Sequence, residues 1–262
     1  MRPKTQADAL NLKAVLIPSE HGASVMLAES LAAGLIIGSS PQGFIPAAGW
    51  VLVFFMSQPL KIAVKDISRG IFTDRTRAAV YYALLFGLFS AAAMAVGVHF
   101  SEGRLLWILG AVLTLGAVHL LATVKGGKKE LAAELFGALS LGGAAASILV
   151  AAGMPLVNAF VLWGVLAMRA GTSVLYVRGR LRLMRRQETR LSEILLVHLL
   201  ALAALTALVL LHALKPVILW AGLLLVARLL LLTDKKPVSA KIVGIQESLL
   251  GALYVVFVVW AF

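Results

Sequence analysis

Nine long apolar runs constrain this chain more than any other feature. They lie at about 20–38, 44–62, 78–100, 104–124, 130–152, 156–177, 191–213, 216–233 and 244–262. A bilayer core about 30 Å thick needs roughly 20 helical residues to cross it. A helix satisfies its own backbone in lipid. The runs are too long and too little alternating for barrel strands. The expectation is an all-α polytopic membrane protein with nine transmembrane helices in a single transmembrane domain, 1–262. The first run is thin in large apolar residues, and the eighth is short. The first also lacks a small-residue cleavage site and is read as a retained helix.

Composition supports this class, with 61% hydrophobic and only 14% charged residues. Soluble domains carry about 25% charged residues, so little length remains for a large soluble domain. The chain has no cysteine, which excludes disulfides, thiolate catalysis and cysteine metal sites.

A net charge of +12 on a soluble chain would suggest nucleic acid as a partner. Here the basic residues fall between apolar runs, so no nucleic acid is expected. With the N-terminus inside, twenty of the 24 lysines and arginines lie in inside segments. Only Arg104 and Lys215 lie outside, and Arg169 and Arg228 fall within spans. That bias places a tail, 1–19, in the cytoplasm and the C-terminus outside. The outside loops are short. The inside loops 61–77 and 178–190 are longer and strongly charged, so chemistry is expected on the cytoplasmic face.

Ionisable residues inside spans are expensive and mark function by default. They are Glu29, His119, Glu134, Arg169, His198, Arg228 and Glu247. Helix rise puts most of them roughly 7–10 Å from the inner boundary, with Glu29 at roughly 13 Å. They form a polar layer in the inner leaflet, as expected of a cytoplasm-facing pocket for a polar head with a lipid tail. Each also has a plain structural reading. Arg228 can snorkel to the surface. Arg169 is too deep for that and needs an acid, with Glu134, Glu29 and Glu247 as the choices. His119 and His198 suit interhelical hydrogen bonds better than metal, because neither H-x-x-x-H nor H-E-x-x-H spacing occurs.

In "MRAGTSVLYVRGR", Arg169, Thr172 or Ser173, Tyr176 and Arg180 share one helix face running toward the cytoplasm. Such a face suits a phosphate or carboxylate. The ordinary alternative makes Tyr176 an interfacial aromatic residue and the arginines topology signals. Glu247, Gly251 and Tyr254 share a face of the last span, where Gly251 allows close helix approach. In the loop 61–77, Asp66 and Asp74 stand among five basic residues. Two aspartates there could hold Mg²⁺ at a diphosphate, or Thr73 or Asp74 could cap the third span. At "IPSEHG", Ser19 and Glu20 suit a helix start. His21 and Gly22 are left over, beside exposed backbone donors that suit an anion.

Several stretches together resemble the bacterial YwiC-like membrane protein family: "IPSEHGA", "QPLKIAVKD", "ELFGALSL", "GTSVLYVRGRLRL" and "GIQESLLG". Ser24 stands where that family usually has tryptophan. The resemblance implies the bacterial cytoplasmic (inner) membrane and no particular chemistry. A more distant resemblance is to the UbiA-type membrane prenyltransferases. It implies a UbiA-like nine-helix bundle with a cytoplasm-facing pocket. It also implies a Mg²⁺-bound prenyl diphosphate at loops following the second and sixth helices. The long charged loops here follow those same helices, but their aspartate-rich motifs are absent. Cofactors therefore stay open.

These readings converge on an inner-leaflet site for an anionic amphiphile, a membrane lipid or prenyl-type molecule. Its enzymatic form would be prenyltransferase-like. Arg169, Lys65 and Arg178 would hold the anion, with Asp66 and Tyr176 beside them. His21, Glu20, Glu134 or Glu247 would act as acid or base. A transporter using Glu29 and Arg169, and a non-catalytic subunit using the same residues as interhelical pins, are the rival expectations.

Overall fold

The computed structural model describes residues 12–18, 21–125, 130–233 and 239–262. They form α1 (Leu12–Leu16), α2 (His21–Gly38), a 3-10 turn (Pro41–Gly43), α3 (Phe44–Ile67), α4 (Asp74–Phe100) and α5 (Leu105–Lys125). There follow α6 (Glu130–Leu141), α7 (Gly143–Ala151), α8 (Leu156–Met184), α9 (Leu191–Leu210), α10 (Ile218–Ala227), α11 (Leu230–Thr233) and α12 (Ala240–Ala261). No strand occurs among the described residues.

Seven segments are long and apolar enough to cross a membrane: Pro41–Ile67, Asp74–Phe100, Leu105–Thr123, Leu131–Ala151, Leu156–Met184, Leu191–Leu210 and Ala240–Ala261. Two shorter apolar helices, Gly22–Gly38 and Ile218–Ala227, occupy the first and eighth apolar runs. The chain is thus a multi-pass helical membrane protein. Its nine runs become seven long spans and two short apolar helices.

Helix ends follow local chemistry. Thr73 caps α4 by accepting from the Thr76 N–H, and Thr76 reciprocates as a capping box. Asp74 is therefore the first helical residue rather than the cap, where its charge suits the helix dipole. Ser239 caps α12 by accepting from the Ile242 N–H. At the end of α8, the Gln187 N–H reaches the Arg182 carbonyl and Arg186 turns left-handed (φ 55°). That geometry is a Schellman stop.

α7 is the hub, and every residue from Gly143 to Ala151 is buried. Its small side chains let α2, α3, α5 and α8 approach it. A Cβ on Gly34 would come within 2.9 Å of the Ala145 Cα, so α2 crosses α7 backbone to backbone. The Trp163 indole fills the notch at Gly142 and donates to the Leu139 carbonyl at 2.8 Å. α12 packs on α2, α8 and α10, which brings three polar-bearing helices together.

The two ends of the bundle differ. At one end Arg104 reaches the Met154 carbonyl (3.4 Å), and the Lys215 N–H donates to Ala261 (3.1 Å). The half behind those turns is an apolar core containing Leu105, Ile108, Leu149, Leu162, Leu205 and Ile218. The other end carries the basic connections α3–α4 and α8–α9, and the buried charges lie in that half.

Candidate functional site

Five helices deliver one buried cluster. Arg169 comes from the middle of α8, Glu247 from the second turn of α12 and Glu29 from the middle of α2. His198 comes from α9. Arg228 comes from the residue that ends α10. Each helix is apolar on most other positions, so membrane insertion and packing carry the charges inward. Left unpaired, each would cost about 2.5–3.5 kcal/mol on an insertion scale.

Glu247 is the centre. Its Oε2 accepts from Arg169 Nη1 (3.0 Å) and Arg228 Nη1 (2.9 Å). Its Oε1 also accepts from Arg228 Nη1 (3.0 Å), and the Ser173 hydroxyl donates to Oε2. Arg169 Nη2 donates to the Glu247 backbone carbonyl at 2.8 Å. The same nitrogen lies 3.4 Å from Glu29 Oε1, the longest contact in the cluster. Two arginines and two glutamates balance in charge when all are ionised.

His198 fixes the other side of Arg228. Its Nδ1 lies 2.7 Å from the Ile194 carbonyl, which can only accept, so Nδ1 carries the proton. Nε2 then accepts from Arg228 Nε (3.3 Å) and Nη2 (3.0 Å). This is the neutral imidazole. The Arg228 guanidinium also lies over the Tyr176 ring, 4.9 Å from its centroid.

Gly251 creates the space for Glu29. Any Cβ there would overlap the Glu29 carboxylate and come within 2.9 Å of Arg169 Nη2. The glycine makes room for a side chain from α2, one turn along α12 from Glu247. Tyr254 continues that face and donates to the Val165 carbonyl at 2.9 Å. Toward the basic end, Arg180 donates to the Leu231 carbonyl at 2.7 Å and so caps the short α11.

The donor inventory is uneven. Glu247 is saturated, while Glu29 is held by one long contact. Arg169 Nε and the Tyr176 hydroxyl are buried without a hydrogen-bond partner among the described residues. The cluster therefore has spare donors and one loosely held carboxylate.

The sequence-derived site residues fall into three places. Arg169, Glu247 and Tyr176 belong to the cluster. Arg178 and Glu134 form a separate pair between α8 and α6, with Nη1 2.9 Å from Oε2 and Glu134 about half exposed. That approach is a charge contact rather than an aligned hydrogen bond, since Arg178 Nη1 has no hydrogen-bond partner among the described residues. Lys65 is exposed at the end of α3. Asp66 stabilises the α3–α4 turn: its Oδ2 accepts from Thr76 (3.1 Å), and its carbonyl accepts from Arg69 and Ile71. Glu20 lies outside the described residues, as does the side chain of His21.

Sequence reasoning flagged Glu29, Arg228, His198 and Ser173 without placing them in the proposed site. Charge balance was the available signal, because two arginines deep in spans require two acids at matching depth. Arg228 does not snorkel; it is 3% exposed and fully engaged. Of the three acids open to Arg169, Glu29 and Glu247 are its partners, and Glu134 is not. His119 bonds across to the Ala133 carbonyl on α6 (2.7 Å), in a notch left by Gly137.

The Mg²⁺ implied by the prenyltransferase resemblance does not fit these residues. Asp66 is engaged by Thr76, and Asp74 pairs with Arg77 at the surface. No three His, Asp or Glu side chains gather as a metal site among the described residues.

The fold and the cluster define a multi-pass helical membrane protein with a charge-balanced polar site inside its basic half. The family model of YwiC-like proteins matches residues 17–152, half of the chain, and the chain belongs to that family. Of the cluster, only Glu29 lies within the matched residues. No curated protein and no solved structure matches the chain.

Proposed function

We propose that this integral membrane protein binds an anionic amphiphile, a prenyl diphosphate or lipid head group, with the anion at the Arg169–Arg228 cluster. The site would face the cytoplasmic leaflet of a bacterial inner membrane. The observation that carries the reading is the uneven bonding of the cluster. Glu29 holds Arg169 by one long contact, in a cluster with two buried donors that no described residue satisfies. An arriving phosphate offers more acceptor oxygens than Glu29 and matches the planar guanidinium better than a single-contact carboxylate. Glu29 is thus the exchangeable stand-in for the ligand. The buried face of α8, through Tyr176 and Arg180 to the basic end, marks the side of approach. The apolar packing of the opposite half closes the far side.

The test is thermal-shift titration of the purified protein with inorganic pyrophosphate and with a short prenyl diphosphate. Binding should be lost in Arg169→Gln, and Glu29→Gln should bind at least as tightly as the wild type. Wild-type affinity in a folded Arg169→Gln protein would sink the proposal. A group-transfer activity would add His21 or Glu20 as acid or base, and lipid profiling of His21→Ala strains tests that extension.

A transporter reading draws on one observation. The apolar α10 stops at Arg228, inside the eighth apolar run, as discontinuous helices do at transport sites. It requires a second conformation that opens the apolar half. Proteoliposomes with no proton or anion flux above protein-free vesicles would eliminate it.

A further inference from the structure

The opposite side of α8 carries a second feature. Gly171 lies two residues from Arg169, roughly 200° around the helix, so its stripe faces away from the cluster. There α6, α8 and α9 border an open apolar groove of about 350 Å³. Gly164, Ala167 and Gly171 form its floor, Ala201 and Ala204 line one wall, and Leu139 lines the other. A Cβ added at Gly164 or Gly171 would meet nothing within 4 Å. The space is real, and no side chain of the described residues fills it.

The helix stripe of the groove runs on to charge. Steps of seven residues keep one helix stripe, so Gly164, Gly171 and Arg178 are aligned, with Arg178 roughly 10 Å beyond Gly171 toward the basic end. Arg178 Nη1 touches Glu134 without an aligned hydrogen bond, and Arg182, one turn further, is exposed. Glu193, one turn before the groove-lining Val197 on α9, is paired with Arg190 at 2.7 Å.

We propose that this groove binds one acyl chain of an acidic phospholipid, with the lipid phosphate on Arg178 and Arg182. The observation is an apolar trough on α8 whose helix stripe continues, past its last lining residues, to Arg178, where only Nη1 contacts Glu134, and to the exposed Arg182. A zwitterionic lipid also offers a phosphate, but its head-group cation opposes the arginines, so a net-negative head group is favoured. A second copy of the chain is disfavoured by charge, because a two-fold axis along the membrane normal would set each Arg182 against its own copy. The site lies across α8 from the anion cluster and does not depend on it.

The experiment reconstitutes the purified protein in phosphatidylcholine nanodiscs containing a minor share of phosphatidylglycerol, and measures the lipid retained after detergent extraction by native mass spectrometry. Wild-type protein should retain phosphatidylglycerol in preference to phosphatidylcholine. Gly171→Leu fills the groove and Arg178→Gln removes the head-group contact. Each should lower phosphatidylglycerol retention by ~10-fold, about 1.4 kcal/mol. Gly110→Leu, on α5 with nothing within 4 Å of its Cβ, controls for added bulk and should retain lipid normally. Unchanged retention in Gly171→Leu overturns the proposal. So does disulfide dimerisation of Gly171→Cys in native membranes, which would assign the groove to a second copy. Arg169→Gln should retain the lipid while losing the pyrophosphate shift, so failure of one site is distinguishable from failure of the other.

Discussion

The two halves of the bundle solve the same packing problem by different means. Behind the 101–104 and 152–155 turns, helices meet through alanine, glycine and leucine. Gly34 lies against the Ala145 backbone, and Leu149, Leu162 and Leu205 are fully buried. In the basic half, helices meet through ions, with Glu247 joining α12 to α8 and α10 and Arg169 joining α8 to α2. The apolar half gains dispersion and is indifferent to what any single residue carries beyond shape. The ionic half is conditional, because each charge is tolerable only while its partner is in place. A ligand that offers a better partner can act there, and it has no comparable handle in the apolar half.

The largest expected effect tests that conditionality. Glu247→Ala leaves two arginines facing each other and should cost about 3–5 kcal/mol in a fixed detergent. Leu162→Ala in the apolar half should cost about 2–5 kcal/mol. The discriminating measurement is compensation by further substitutions. Truncating Arg169 and Arg228 to methionine in the Glu247→Ala background should recover much of the loss. No neighbour truncation should rescue Leu162→Ala. Unfolding by SDS titration reads both, and an unrescued Glu247 variant would erase the distinction.

A smaller effect separates two glycines. Gly251→Ala should cost about 1–3 kcal/mol by overpacking and cost less in a Glu29→Ala background than in the wild type, because the added methyl collides chiefly with that carboxylate. Gly34→Ala should cost a similar amount without rescue, because its collision is with the Ala145 Cα, which is backbone. Thermal unfolding of the double variants decides between them.

The smallest effect is at the half-exposed pair. Glu134→Gln should change stability by less than about 1 kcal/mol, since solvent and head groups screen it. A larger loss, read by the same unfolding assay, would mean that the α6–α8 contact belongs with the buried ions.

Much of this was legible in the chain. The apolar runs located the helix starts to within a few residues, because the bilayer sets where apolar stretches begin, while α3 and α8 run on to Ile67 and Met184 past the expected ends at 62 and 177. The shortness of the eighth run and the weakness of the first reappear as the two helices below spanning length. The face Arg169–Thr172–Ser173–Tyr176–Arg180 is buried as one stripe, because helical spacing is a local property. Asp66 shows the limit. In the sequence it is an acid in a basic loop, while in the structure it stabilises a turn through Thr76, ten residues on. Glu134 was a candidate partner for Arg169 by depth alone, and it lies beside another helix.

By itself the sequence determined the class of the protein: where helices run, which ends are basic, and that several charges must sit in lipid. Those properties follow from hydropathy and helix geometry, which act along the chain. Only the tertiary structure decided which charges meet. Depth orders residues along the membrane normal and says nothing of their arrangement around it. Glu29 and Glu247 share Arg169 because Gly251 and the α2–α7 crossing admit them there. Arg178 lies across α8, on the helix stripe that Gly164 and Gly171 give to an apolar groove. One expected site thus became a buried cluster, an open groove and a turn, separated by the packing of helices around α7.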